Sequence, residues 1–163
     1  MSQKKNKGAT FEDPNQFKSL IRKNARLIGI DAGSKTLGLA LSDTSLMIAS
    51  ALKTIRRTKF SHDAADLLQI ADEHDVAGFV LGLPKNMDGS EGPRAQSARA
   101  FARNINALNH RPILLWDERL STVAAERTLL EADTSRVRRS KVIDKLAATV
   151  ILQNALDRMR IAP

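Results

Sequence analysis

RLIGIDAGSKTLGLALSD, residues 26–43, decides how this chain is read. RLIGID (26–31) is an apolar run of strand length, AGSK (32–35) a glycine-bearing turn and TLGLALSD (36–43) a second strand. The first strand ends on Asp31. A carboxylate at the edge of an apolar strand needs a cation, a proton or solvent to be tolerated. It can equally be a turn aspartate that opens the hairpin.

Outward from this hairpin, LMIASALKTI (46–55) reads as a third strand, and the three together as an antiparallel meander. Ser61 is expected to cap a helix over HDAADLLQIADEHD, with Ala64, Leu67, Leu68 and Ala71 on one face. VAGFVLGL (76–83) is almost continuously apolar, as a strand covered on both faces should be. The loop PKNMDGSEGP (84–93) leads to a helix from Arg94 to Leu108, with Ala95, Ala98, Ala102, Ile105 and Leu108 inward. ILLW (113–116) is the last strand, and helices over 122–132 and 140–159, separated by DTSRVRRS, finish the chain. The pattern predicts an α/β fold, a mixed five-stranded sheet flanked by helices, in one domain over 26–160. Residues 1–25 read as a basic, partly flexible leader that closes with a short helix, Asp13 its cap and Pro14 its first residue.

The 163 residues contain no cysteine, which excludes a disulfide framework, a cysteine zinc site and a thiol nucleophile together. No secretory signal and no long apolar span are visible, so a cytoplasmic protein without a membrane partner is expected. The net charge of +8 is unevenly placed. Residues 1–26 carry seven Lys/Arg against two Asp/Glu, and 133–160 carry seven against three, around a near-neutral middle. Two basic flanks suit a polyanion such as a phosphate backbone, although solvated charge alone would also produce them.

Asp117 and Glu118 follow the last strand much as Asp31 ends the first. Parallel strands bring their C-terminal ends to one sheet edge, where open α/β sheets place ligands. If the first and last strands are parallel neighbours, these carboxylates converge there. Alternation lets only one of the adjacent pair share Asp31's face, and Arg119 is available to hold the other. Asp144 lies on the apolar stripe of the last helix, between Ile151 and Ala155 on a wheel of about 100° per residue. Such a carboxylate requires compensation, from a metal or from a buried salt bridge. Three or four carboxylates without His or Cys suit Mg²⁺ or Mn²⁺. Two such ions about 3.5–4 Å apart are able to hydrolyse a phosphodiester.

GIDAGSKTLGLALSD (29–43), VLGLPKNMDGSEGPRA (80–95), DERLSTVAAERTL (117–129) and SRVRRSKVIDKLAATVILQNALD (135–157) together resemble the YqgF-type, Holliday-junction-resolvase-like proteins, regarded as pre-16S rRNA nucleases. The resemblance covers about residues 26–157. It implies an RNase H-like fold and a nuclease dependent on two Mg²⁺ or Mn²⁺ ions, with Asp31, Glu118 and Asp144 as catalytic metal ligands and Asp117 assisting. It further implies processing of the 5′ end of the 16S rRNA precursor, with structured RNA or a ribosomal precursor particle as partner. Asp43 also matches the family motif but reads here as the end of a strand. Lys35, Arg94, Arg136, Arg138, Arg139 and Lys141 are the expected contacts to nucleic acid.

Other classes stay open at this level. A resolvase acting on four-way DNA would use the same carboxylates. A ribosome-assembly factor would keep the fold without the chemistry. An actin-like phosphotransferase would need a second domain with a hairpin of this type. Monomer and homodimer are both compatible with the chain. The loop 84–93 is either a phosphate cradle or an ordinary connection. The basic run beside Asp144 yields a direct expectation: replacing Arg138 and Arg139 by Ala should weaken nucleic-acid affinity and reduce the slope of log affinity against log salt by about 1–2. Binding isotherms at several salt concentrations check this, and an unchanged slope would show those arginines to be merely solvated.

Overall fold

The computed structural model describes residues 8–120 and 136–161, with backbone alone over 136–145 and at 161. In chain order the elements are β1 (Thr10–Phe11), α1 (Pro14–Ser19), β2 (Arg26–Ala32), β3 (Thr36–Ser42), β4 (Ala49–Arg56), α2 (Phe60–Glu73), β5 (Val76–Leu83), α3 (Pro93–Asn106), β6 (Ile113–Asp117), a 3₁₀ turn (Glu118–Leu120) and α4 (Arg136–Ile161). The strands form one sheet in the order β1-β6-β5-β2-β3-β4. β1, β6, β5 and β2 run parallel, while β2, β3 and β4 form the expected antiparallel meander.

Helices cover both faces, which is why β5 is apolar at nearly every position. On one face Ile28, Ile30, Phe79, Leu81 and Leu115 pack with Leu67 of α2 and Phe101 of α3. On the other, Leu27, Val80, Leu114 and Trp116 pack with Ala148, Ile151, Leu152 and Ala155 of α4. Two glycines let α4 lie close. A Cβ at Gly29 would stand 2.6 Å from Leu152 Cβ and 2.8 Å from the Ala148 carbonyl, and one at Gly82 would stand 2.6 Å from Ile151 Cδ1.

The sixth strand, β1, comes from the segment read as a leader, and its two residues are too few to show an alternating pattern. Asp13 caps α1 by accepting from the Asn15 N–H, with Pro14 at the first helical position as expected. Phe17 is fully buried beneath that helix.

Four local expectations need correction. Ser61 is not the cap of α2, which begins at Phe60 with Lys59 in the cap position and no side-chain cap bond. The buried Asp63 carboxylate reaches back instead and accepts from the Thr58 N–H. The third strand starts at Ala49 rather than at 46. Asp43 closes the preceding turn by accepting from Ser45 Oγ and the Met47 and Ile48 N–H groups, a set that pulls its pKa down to about 2. Leu108 is exposed because α3 ends at Asn106. The last helix starts at Arg136, so part of DTSRVRRS is helical, and the expected helix over 122–132 lies outside the described residues.

The tight crossing at Gly29 has a measurable cost. Gly29→Ala forces a methyl against backbone and another Cβ, and should destabilise the protein by about 1–3 kcal/mol. A lowered denaturant midpoint at unchanged slope is the expected result.

Candidate active site

The C-terminal edge of the parallel strands carries the site. Asp31 is 5% exposed, paired across the ladder with Gly38 of β3. Alternation from Leu27 through Gly29 puts its side chain on the α4 face. β2 and β6 prove not to be neighbours, because β5 lies between them. Ile30 is level with Leu81, so the next step sets Asp31 level with Gly82, which in turn pairs with Trp116.

Gly82 is what lets the carboxylates meet. Glu118 follows β6 in the 3₁₀ turn, and its Oε1 lies 2.6 Å from where a Gly82 Cβ would stand, too close for that atom to be present. Adjacent strands are about 4.8 Å apart, so Glu118 lies one strand spacing from Asp31 on the same face. A glycine inside an apolar strand is the sequence signal of such a close approach.

Asp117 takes a different path. It shares parity with Leu115, which faces α2 and α3, and it is bound by Arg119. The Arg119 N–H donates to Asp117 Oδ1 at 3.0 Å and the guanidinium donates to both carboxylate oxygens at 2.8–3.2 Å. These bonds hold the Asp117 carboxyl below the usual carboxylate range. Thus the structure brings Glu118 to the side of Asp31, and ties Asp117 to Arg119.

Asp144 lies on the part of α4 described by backbone alone. It precedes Ala148 by one turn, a rise of about 6 Å. From the crossing at Gly29, α4 descends toward Met159, whose carbonyl accepts from Lys18 Nζ. The turn before Ala148 therefore points toward the edge that carries Asp31. Arg136, Arg138, Arg139 and Lys141 belong to the same first turns of α4. Among the described residues, no three His, Asp or Glu side chains form a cluster able to hold a metal ion. The described pair, Asp31 and Glu118, offers hard oxygen donors and fits Mg²⁺ or Mn²⁺ in type.

Two expected nucleic-acid contacts are exposed on this edge, Lys35 in the β2–β3 turn and Arg94 in the first turn of α3. The turn is buttressed from behind. Arg57 donates through its guanidinium to the Gly33 carbonyl at 2.6 Å and through its backbone N–H to the Lys35 carbonyl at 2.8 Å. Asp63 and the Phe101 ring flank the same guanidinium. The loop 84–93 folds on itself: the N–H groups of Asn86, Gly89 and Ser90 are all spent within it, and Gly89 takes a φ of +89°. Those three amides are thereby committed to the loop, and Arg99 binds its Glu91 together with Glu12.

A family model described as "RuvX: Holliday junction resolvase" matches residues 25–158. The chain belongs to the RuvX family. A Rhodobacter capsulatus protein described as "Putative pre-16S rRNA nuclease" is 60% identical over 88% of this chain and 90% of its own length. One from Ruegeria pomeroyi with the same description is 57% identical over 91% and 97%. Among solved structures, T. thermophilus RuvC in complex with a Holliday junction substrate superposes with a TM-score of 0.53 at 15% identity, over 85% of this chain and 98% of that one. That likeness confirms the RNase H-like fold class.

The Arg119 clamp makes a pH-dependent prediction. Because the folded-state pKa of Asp117 is lowered, its contribution to stability is present above the ordinary carboxylate pKa and is lost as pH falls through the lowered one. In Arg119→Ala the Asp117 titration, followed by carboxyl carbon NMR, should move up toward the ordinary value. Asp117→Asn should remove this part of the acid destabilisation seen in melts. An unmoved titration in Arg119→Ala would assign the depression to another group.

Proposed function

We propose that this RuvX-family protein is a divalent-metal-dependent endonuclease that hydrolyses phosphodiesters at the 5′ end of the 16S rRNA precursor, working in the cytoplasm. The observation that carries the chemistry is the pairing of buried Asp31 with Glu118 across Gly82 on one sheet face. The substrate follows from relatives 57–60% identical over nearly their whole length.

Asp31 and Glu118 would hold the cations, with Asp144 from the first turns of α4 as the third ligand. Cations so held supply a water activated for attack on phosphorus and positive charge for the departing oxygen. Burial beneath α4 keeps Asp31 in one orientation and limits competing solvent. By occupying Asp117, Arg119 leaves Glu118 as the carboxylate of this segment that serves the site. Lys35 and Arg94 would hold backbone phosphates on either side of the edge, joined by Arg136, Arg138, Arg139 and Lys141.

The test is Asp31→Asn, which conserves size and removes the charge. Cleavage of precursor RNA in Mg²⁺ should fall by more than about 100-fold, beyond the loss expected from a merely supporting residue. Mg²⁺ should raise the melting temperature of the parent and much less that of the variant. A variant that cleaves normally, or a parent that cuts four-way DNA while sparing the RNA, would overturn the proposal.

A further inference from the structure

Beside the carboxylates lies a cavity of about 620 Å³ with no part in the chemistry above. It exists because β1 stops early. β1 pairs only with Ile113 and Leu114, so among the described residues no strand neighbours the outer edge of β6 from Leu115 onward. The chain turns away through Glu12 and Pro14, and the gap left between β6, α1 and α4 is the cavity. Its volume lies within the range of small-molecule sites, which run from about 300 to 1,000 Å³.

Apolar surface comes from Pro14, Leu83, Trp116 and Leu120. Leu120 is 69% exposed despite its size, and among the described residues the buried Trp116 indole N–H has no acceptor. Polar groups sit opposite. Lys85 and Arg158 reach the cavity, and among the described residues neither has an ion-pair partner. Asn154 gives one amide proton to the Val150 carbonyl and keeps its own carbonyl oxygen to accept. The two acids on the rim are already neutralised, Glu12 by Arg99 and Asp117 by Arg119. Among the described residues, what remains is an apolar slot with two cations outside any salt bridge, one amide and an unpaired strand edge, one residue from Glu118.

We propose that this cavity is a nucleotide subsite, taking one unpaired base of the substrate against Pro14, Leu120 and the part of Trp116 that lines the wall, and its phosphate at Lys85 and Arg158. A base has two apolar faces and a hydrogen-bonding edge, and it arrives with a phosphate; the lining matches each part. The assignment rests on the nuclease reading and adds to it. The strand being cut must be single-stranded next to the scissile bond, and cleavage depends on that unpaired base.

Trp116 is the sole tryptophan of the chain and reports on the cavity directly. The experiment titrates metal-free protein with ribonucleoside 5′-monophosphates, with inorganic phosphate alongside, following tryptophan fluorescence. A saturable change with at least one nucleotide and none with phosphate is expected. Arg158→Ala, at an exposed position, and Lys85→Ala, at a half-buried one whose charge also acts on Asp117 and Glu91, should each weaken it about tenfold or more, the size of a lost charged hydrogen bond. Asp31→Asn should respond as the parent does. No saturable response at millimolar nucleotide, or equal affinity in parent, Arg158→Ala and Lys85→Ala, would overturn the subsite. Should the parent cleave RNA without any nucleotide response, the subsite falls and the nuclease stands. Nucleotide binding without cleavage in any divalent metal reverses that outcome.

Discussion

How near a helix comes to a sheet depends on what stands between them, and here the answer is two missing side chains. Gly29 and Gly82 let α4 settle onto β2 and β5 until Leu152 and Ile151 fill the vacated space. Everything at the C-terminal edge follows from that depth. Asp31 is covered, Glu118 folds back over Gly82, and the first turns of α4 are directed to the same edge. A Cβ at either glycine would lift the helix and move the carboxylates apart.

Much of this was legible in the residues. Continuous apolarity marked β5 as doubly covered, and the strand boundaries of β2, β3 and β5 follow the hydrophobic runs closely. Alternation at Asp117–Glu118 limited Asp31's companions to one of the two, but could not say which, since the strand ends between them and the 3₁₀ turn resets the direction. The strand order was less accessible. A parallel crossover can insert a strand on either side, and only tertiary packing put β5 between β2 and β6. β1 escaped notice because two residues carry no period. Ser61 is a good cap for α2 by type, whereas the buried Asp63 reaches back from inside the helix to the Thr58 N–H at that end.

The charged groups divide by how they are used. Arg57, Arg99, Arg111 and Arg119 are committed within the fold, to carbonyls and carboxylates that fix turns and loops. Lys35, Arg94 and Arg158 stay exposed around the carboxylate edge. The division explains why net charge alone said little about function. A basic chain spends part of its charge on its own architecture, and only the uncommitted remainder is available to a polyanion.

The pairing of Thr10 with Ile113 has a consequence for the order of assembly. The meander of β2, β3 and β4 is local and is complete between Arg26 and Arg56. The edge strand must wait for a partner about a hundred residues further along, roughly 5–20 s at ordinary rates of synthesis. During that interval Phe11 and Phe17 have no β6 and no α4 to cover them. The segment carrying β1 and α1 therefore docks only after β6 and α4 have been made, and the cavity it borders closes no earlier.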